Sequence, residues 1–319
     1  MSSYQFVGVD VAKDKFDVAL KIADRWDQVC FPNSKTGYQQ FIKWLTKHTN
    51  QPHIAMEATG HYSALIAQFL FDRQLPVYVI NPLQIKNFAR AKLTRNKTDS
   101  IDAKLIAEYA EKMQPYPYQP RSDAQKEVKD LTNLLDTLKQ QHTRLSNNQL
   151  HSVQGKIAKE LLKKLLKELE KEIIPVQSEI AKLIKRDSML DEMMTLLISI
   201  PGIGKITAYK LISTIVDISH FKSPKQFAAY LGVSPRQHQS GKYEGKTTMS
   251  RLGNAHLRKT LYIAALVAKR FNLALQPLAR RLKEKGKSPK SVTGAVMRKL
   301  AHIVFGVLKN KQPFKFVHA

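Results

Sequence analysis

The stretch YQFVGVDVAKDKFDVALKI, residues 4–22, decides the fold. Phe6, Val7, Val9 and Val11 are β-favouring residues, and they surround one acid, Asp10. A second apolar run, Phe16–Ile22, follows almost at once, so the pair reads as a hairpin turning near Lys13-Asp14. An unpaired carboxylate inside an apolar strand is costly to bury. Asp10 therefore either meets something cationic or lies at the exposed end of its strand.

Working outward, Trp26–Phe31 predicts a third strand. After the turn residues Asn33–Gly37, Tyr38, Phe41, Ile42, Trp44 and Leu45 recur at helical spacing. His53–Ala58 predicts a short strand carrying Glu57 and broken by Gly60; a helix follows from His61 to Arg73. Pro76–Ile80 reads as a buried strand, and Asn81-Pro82 opens another helix. In NKTDSIDAKLIA, Thr98 or Asp99 caps a helix reaching Met113, and Asp99 and Asp102 share its first face. Pro115, Pro117 and Pro120 then end the domain. Three strands in a meander, then helix, strand, helix, strand and helix, is the element order of a ribonuclease-H-like α/β domain.

From Ser122 to Leu197 the chain holds no aromatic residue and one glycine, Gly155. Leu131, Leu138 and Leu145 are seven apart, and Leu161, Leu162, Leu165, Leu166 and Leu169 continue the helical pattern. Two long helices joined near Asn147–Gly155, antiparallel and kinked at Pro175, are predicted. Next, SIPGIGKITA predicts a helix-hairpin-helix. There Gly202 and Gly204 let backbone N–H groups approach a DNA phosphate, with Lys205 and Lys210 beside them. A plain helical turn using the glycines only to bend is the alternative. Beyond a helix ending at Gly232, Ser234–Lys246 reads as a polar loop containing Ser240-Gly241. A helix from about Ser250 follows, with an apolar face of Leu257, Leu261, Ile263, Ala264 and Leu266, and two more helices close the chain. The expected domains are 1–120 (α/β), 121–196 (a helical coiled-coil arm) and 197–319 (all-α).

Among the 319 residues, 52 Lys and Arg stand against 26 Asp and Glu, a net charge of +26. Basic and acidic residues number 15 and 11 in 1–120, 14 and 12 in 121–196, and 23 and 3 in 197–319. A segment of net +20 calls for a polyanionic partner, and nucleic acid fits best. The single cysteine, Cys30, excludes a disulfide framework or a Cys-based zinc site. With no signal pattern and no membrane-length apolar run, an intracellular protein without a membrane partner is expected.

Asp10, Glu57, Asp99 and Asp102 form the candidate metal site. Four carboxylates at close range stay ionised only if cations neutralise them. Oxygen-only ligands favour Mg²⁺ or Mn²⁺, and two such ions can serve the attacking and leaving oxygens of phosphoryl transfer. Asp10 is followed by Val11 and Ala12, so the Asp-x-Glu of proofreading exonucleases is missing.

The combination VGVDVAKDKFDVAL, AMEATGHY, NKTDSIDAKLIA, SIPGIGKITA and YLGVSPRQHQSG…SRLGNAHLRKTLYIAA resembles, over essentially the whole chain, the DEDD insertion-sequence transposases of the "one-ten" type, also known as bridge-RNA-guided recombinases. The resemblance implies a RuvC-like N-terminal domain, a coiled-coil arm and a C-terminal transposase domain. It puts the DEDD tetrad on Asp10, Glu57, Asp99 and Asp102, and a nucleophilic serine on Ser240. It further implies a covalent phosphoserine intermediate, a composite site between subunits, and a noncoding guide RNA that pairs with donor and target DNA. A dimer on each DNA, a synaptic tetramer and a cytoplasmic, nucleoid-associated location in a prokaryote are also implied. Only His238 stands near enough in sequence to activate the serine. Lys242, Lys246, Arg251, Arg258 and Lys259 flank it and are candidate phosphate contacts. The alternatives are a RuvC-like metal-dependent nuclease or resolvase without serine catalysis, and a non-enzymatic nucleic-acid-binding protein.

Overall fold

The computed structural model describes residues 4–23, 25–93, 99–149, 152–236, 239–240, 243–244, 248–250, 252–253 and 255–316. For residues 99–100, 148–149, 239–240 and 243–244 it describes the backbone only. The chain divides into two compact units, Met1–Pro120 and Arg121–Ala319.

In the first unit the opening hairpin forms from β1 (Gln5–Val11) and β2 (Lys15–Ile22), and β3 (Arg25–Pro32) completes an antiparallel meander. Helix α1 (Lys35–His48) starts at Ser34, whose side chain accepts from the Gly37 N–H at 3.3 Å. It returns the chain to β4 (Pro52–Glu57), which pairs parallel with β1. Helix α2 (His61–Phe71) leads to β5 (Val77–Ile80), parallel to β4, so the sheet order is β3-β2-β1-β4-β5. Asn81 caps α3 (Pro82–Ala91), and α4 (Asp99–Met113) is the last helix of the unit.

Strand alternation sorts the sheet's two faces. Val7, Val9, Val11, Phe16, Val18, Leu20, Ile54 and Met56 pack with Phe41 and Leu45 of α1 and Ile66 and Leu70 of α2. Ala55, Tyr78 and Ile80, with Phe6 beside them, pack on the other face with Ile85 of α3 and Leu105, Ile106 and Tyr109 of α4. Helices thus cover both faces of a mixed sheet, as the element order predicts.

In the second unit α5 (Asp123–Arg144) runs through a π-helical turn at Leu145–Gln149, and α6 (Lys156–Arg186) returns along it. His142 of α5 meets Glu170 of α6 at 2.9 Å. The helix α6 continues through Pro175. It ends at Asp187, whose side chain caps α7 (Ser188–Ile198), a break the leucine pattern does not reveal. The bases of α5 and α6, at Val128, Leu135, Ile180 and Ile184, join the same core as the C-terminal helices. Those are α8 (Lys205–Thr214), α9 (Pro224–Tyr230), α10 (Ala255–Phe271), α11 (Gln276–Glu284) and α12 (Pro289–Asn310). Buried Asn272 ties this core together, donating to the Pro201 carbonyl at 3.1 Å and accepting from the Ala274 N–H at 3.1 Å. Among the described residues α12 is the one helix long and apolar enough to cross a membrane, and half of its apolar window is buried.

Two sequence expectations need correction. The C-terminal region is helical but not purely α, because β6 (Pro235–Arg236) pairs with β9 (Thr248–Met249) and β7 (Gln239–Ser240) with β8 (Tyr243–Glu244). A chain that leaves α9 after Tyr230 and enters α10 at Ala255 must satisfy its own backbone groups in between. Cross-strand bonds do so, including Ser250 N–H to the Ser234 carbonyl at 2.9 Å. On α10, Ile263 is exposed, and Ala265 and Ala268 take the buried face instead.

Candidate active site

Register decides where the acids stand. In the β1–β4 pair Gly8 faces Ala55 and Val9 faces Met56, so Asp10 comes level with Glu57. Ala55 belongs to the core under α3 and α4, whereas Val9 and Met56 belong to the opposite one. By alternation Asp10 and Glu57 therefore share the α4 face. Both sit at the C-terminal ends of adjacent parallel strands, where open α/β sheets place their ligands.

Helix α4 crosses this face with almost no gap. A Cβ added to Gly8 would stand 1.9 Å from the Ala103 carbonyl oxygen and 2.7 Å from the Ala107 nitrogen. The buried stripe Ala103, Ile106, Ala107 and Ala110 lies on the sheet. One turn earlier that stripe reaches Asp99 and Asp102. Gly8, two residues before Asp10 on β1, lies against Ala103 and Ala107, the turn of α4 that follows Asp99 and Asp102. The register sets Asp10 and Glu57 at one end of the sheet face that α4 covers, and Asp99 and Asp102 lie in the first turn of that helix.

Asp10, Glu57 and Asp102 each already have a partner within the chain. The Asp99 side chain lies outside what the structure describes. Among the described residues no three His, Cys, Asp or Glu side chains are gathered as a metal cluster. The donor chemistry still fits a hard divalent cation, since every candidate ligand is a carboxylate.

The hairpin adds an acid that the sequence pattern alone does not single out. Asp17 of β2 pairs with Asp10, and opposite residues of an antiparallel pair share a face. Like charges directly opposite repel. Lys15 offsets this, with its Nζ 3.0 Å from an Asp17 oxygen. A signal for it exists, since a turn centred between Val11 and Phe16 puts Asp10 across from Asp17.

In the second unit Ser240 lies on β7, paired with Tyr243, and its side chain is outside what the structure describes. His238, Lys242, Lys246 and Arg251 lie outside the described residues altogether. Arg258 plays a structural part. Its Nη1 donates to the carbonyls of Gly232 at 3.4 Å and Leu252 at 3.5 Å, fastening both ends of the excursion that carries Ser240. Lys259 is exposed on α10. In the turn between α7 and α8, Gly202 has φ +105° and a Cβ there would lie 2.5 Å from the Ala268 Cβ, so packing requires this glycine. Gly204 has open space around it and caps α8 with no side-chain bond, and Lys205 is the exposed first residue of that helix.

A DEDD-type transposase family matches residues 7–156, and the Transposase IS116/IS110/IS902 family matches residues 194–279. A pilin gene-inverting protein of Moraxella bovis is 32% identical over 324 residues, covering 99% of each chain. The transposase for insertion sequence element IS1111A of Coxiella burnetii is 25% identical over 82% of this chain and 77% of its own. The transposase for insertion sequence element IS1328 of Yersinia enterocolitica is 25% identical over 98% and 95%. The chain belongs to the IS110 family of transposases.

Proposed function

We propose that the protein is the recombinase of an insertion sequence and that it cuts and rejoins DNA through a phosphoserine on Ser240. In this reading the Ser240 Oγ forms a bond to a phosphodiester phosphorus. The phosphorus–oxygen bond to one neighbouring nucleotide breaks, the Oγ proton is lost, and the departing sugar oxygen takes up a proton. Reversal of the step by the hydroxyl of a different strand end releases Ser240 and rejoins the DNA, with the bond energy conserved in the ester. Asp10, Glu57, Asp99 and Asp102 would hold Mg²⁺ or Mn²⁺, which when bound supplies positive charge to the phosphate.

The observation that carries this reading is the β1–β4 register, with Asp10 level with Glu57 on the face where α4 begins. The C-terminal charge of +20 supports a guide RNA as well as DNA. Sequence choice by base pairing leaves the protein chiefly backbone contacts to make. The three-part division, with a coiled-coil arm at 121–196 and a helix-hairpin-helix at Gly202–Gly204, belongs to this proposal. So do assembly as a dimer and synaptic tetramer and a cytoplasmic location.

The 32% identity to a pilin gene-inverting protein favours a second outcome of the same chemistry, inversion of a segment between two sites. Denaturing gels of protein incubated with element-end DNA test the mechanism. The expected result is a covalent protein–DNA adduct that Ser240→Ala abolishes. An adduct that persists in Ser240→Ala removes Ser240 as nucleophile. Substrates carrying paired sites in direct or inverted orientation then distinguish excision from inversion.

A further inference from the structure

Helices α5, α8 and α10 enclose a cleft of about 470 Å³ in the second unit. Its walls carry Lys139 and Arg144 from α5, Lys210 from α8, and His256 and Lys259 from α10. Among the described residues Asp136 is the one acid that lines it, and Lys210 already engages it at 2.7 Å while donating to Thr260 at 2.9 Å. Among the described residues Lys139, Arg144 and Lys259 have no ion-pair partner. Burial, with Lys210 adding to it, holds the Lys139 ammonium below its ordinary pKa even though Asp136 acts the other way. An anion entering the cleft would relieve both effects. Amide groups of Gln140 and Asn147 stand on the same wall as further donors.

We propose that this cleft grips a backbone phosphate of duplex DNA, with Lys139, Arg144 and Lys259 as its contacts. The inference rests on the reading of the chain as a recombinase that must hold DNA while it is cut. Duplex DNA is favoured over a single RNA strand because, among the described residues, no Phe, Tyr or Trp lines the cleft. Single-strand recognition relies on stacking bases against such rings. The cleft also lies on α10, the helix that follows the Ser240 excursion in the chain.

The test uses the full-length protein and a duplex of arbitrary sequence, with binding followed by fluorescence anisotropy across a salt series. The triple variant Lys139→Gln/Arg144→Gln/Lys259→Gln is compared with Lys163→Gln/Lys164→Gln/Lys167→Gln, which removes equal charge from exposed α6. Each lost phosphate contact should lower the slope of log K against log salt by about 0.9. With one phosphate released, the cleft variant should therefore lose about 0.9 from the slope and bind about tenfold more weakly, and the control should change little. Lys259→Glu alone, on an exposed residue, gives the same comparison if the triple variant does not fold. Equal weakening in cleft variant and control would overturn the proposal, because net charge alone would then explain binding. Loss of single-stranded RNA binding with duplex binding intact would also overturn it. Wild-type protein that fails to bind duplex would sink the recombinase reading too, whereas a cleft variant that binds like wild type sinks only the cleft.

Discussion

The two units solve opposite electrostatic problems. The first carries almost balanced charge, yet its sheet sets Asp10 beside Asp17 in one ladder and level with Glu57 in the next. The second contains the segment of 23 basic and 3 acidic residues. One gathers acids at a strand end, and the other spreads positive charge over helices. Under the proposed function, metal and nucleic acid would be drawn by different parts of the chain.

The sharpest way to break that division is Asp10→Asn. Recombination should fall by about 10²-fold or more, the scale for removing one electrostatic contributor to a transition state. Duplex affinity and its salt slope should stay at wild-type values, because the basic surface lies elsewhere. If DNA binding falls with activity, the separation of roles is wrong.

The two glycines of the α7–α8 turn offer a finer test inside the basic unit. Gly202→Ala should cost about 1–3 kcal/mol in urea denaturation, because its Cβ would overlap Ala268 at a positive φ. Gly204→Ala should cost no more than about 1 kcal/mol, the scale of a lost cap. Any loss of DNA affinity in Gly204→Ala would then report close phosphate approach at the start of α8. Unchanged affinity would leave the turn with a packing role only.

The smallest effect concerns acid. Burial, followed by repulsion from Arg298, Lys299 and Lys225, keeps the His302 imidazole below its ordinary pKa. The unfolded chain therefore binds that proton more readily. Stability is complete above the unfolded value of about 6.5 and declines as pH falls through the depressed native value. The urea midpoint of the wild type should drop between about pH 7.5 and 5.5 by more than that of His302→Gln. Equal drops would show that His302 does not contribute.

Much of the first unit is legible in the sequence because its strands are short, apolar and punctuated. Gly60, Asn81-Pro82 and the run from Pro115 to Pro120 mark boundaries that the structure keeps within a few residues. The acids are legible singly, but their shared face depends on register, which no local pattern states. Asp17 is the exception, since the turn at Lys13-Asp14 already sets it across from Asp10. The cleft is less visible still, since Lys139 and Lys210 lie 71 positions apart and meet only when α5 packs on α8. Arg258 reads as a phosphate ligand because its use by two carbonyls depends on a distant loop.

The contact between Gly8 and α4 has a consequence for tolerance. Strand and helix touch through main-chain atoms, with no side chain between them to change rotamer. The spacing between the acids of the strands and those of the helix is therefore set like a gauge block, by peptide dimensions. Core substitutions elsewhere in the domain can erode its stability without retuning the width of that gap.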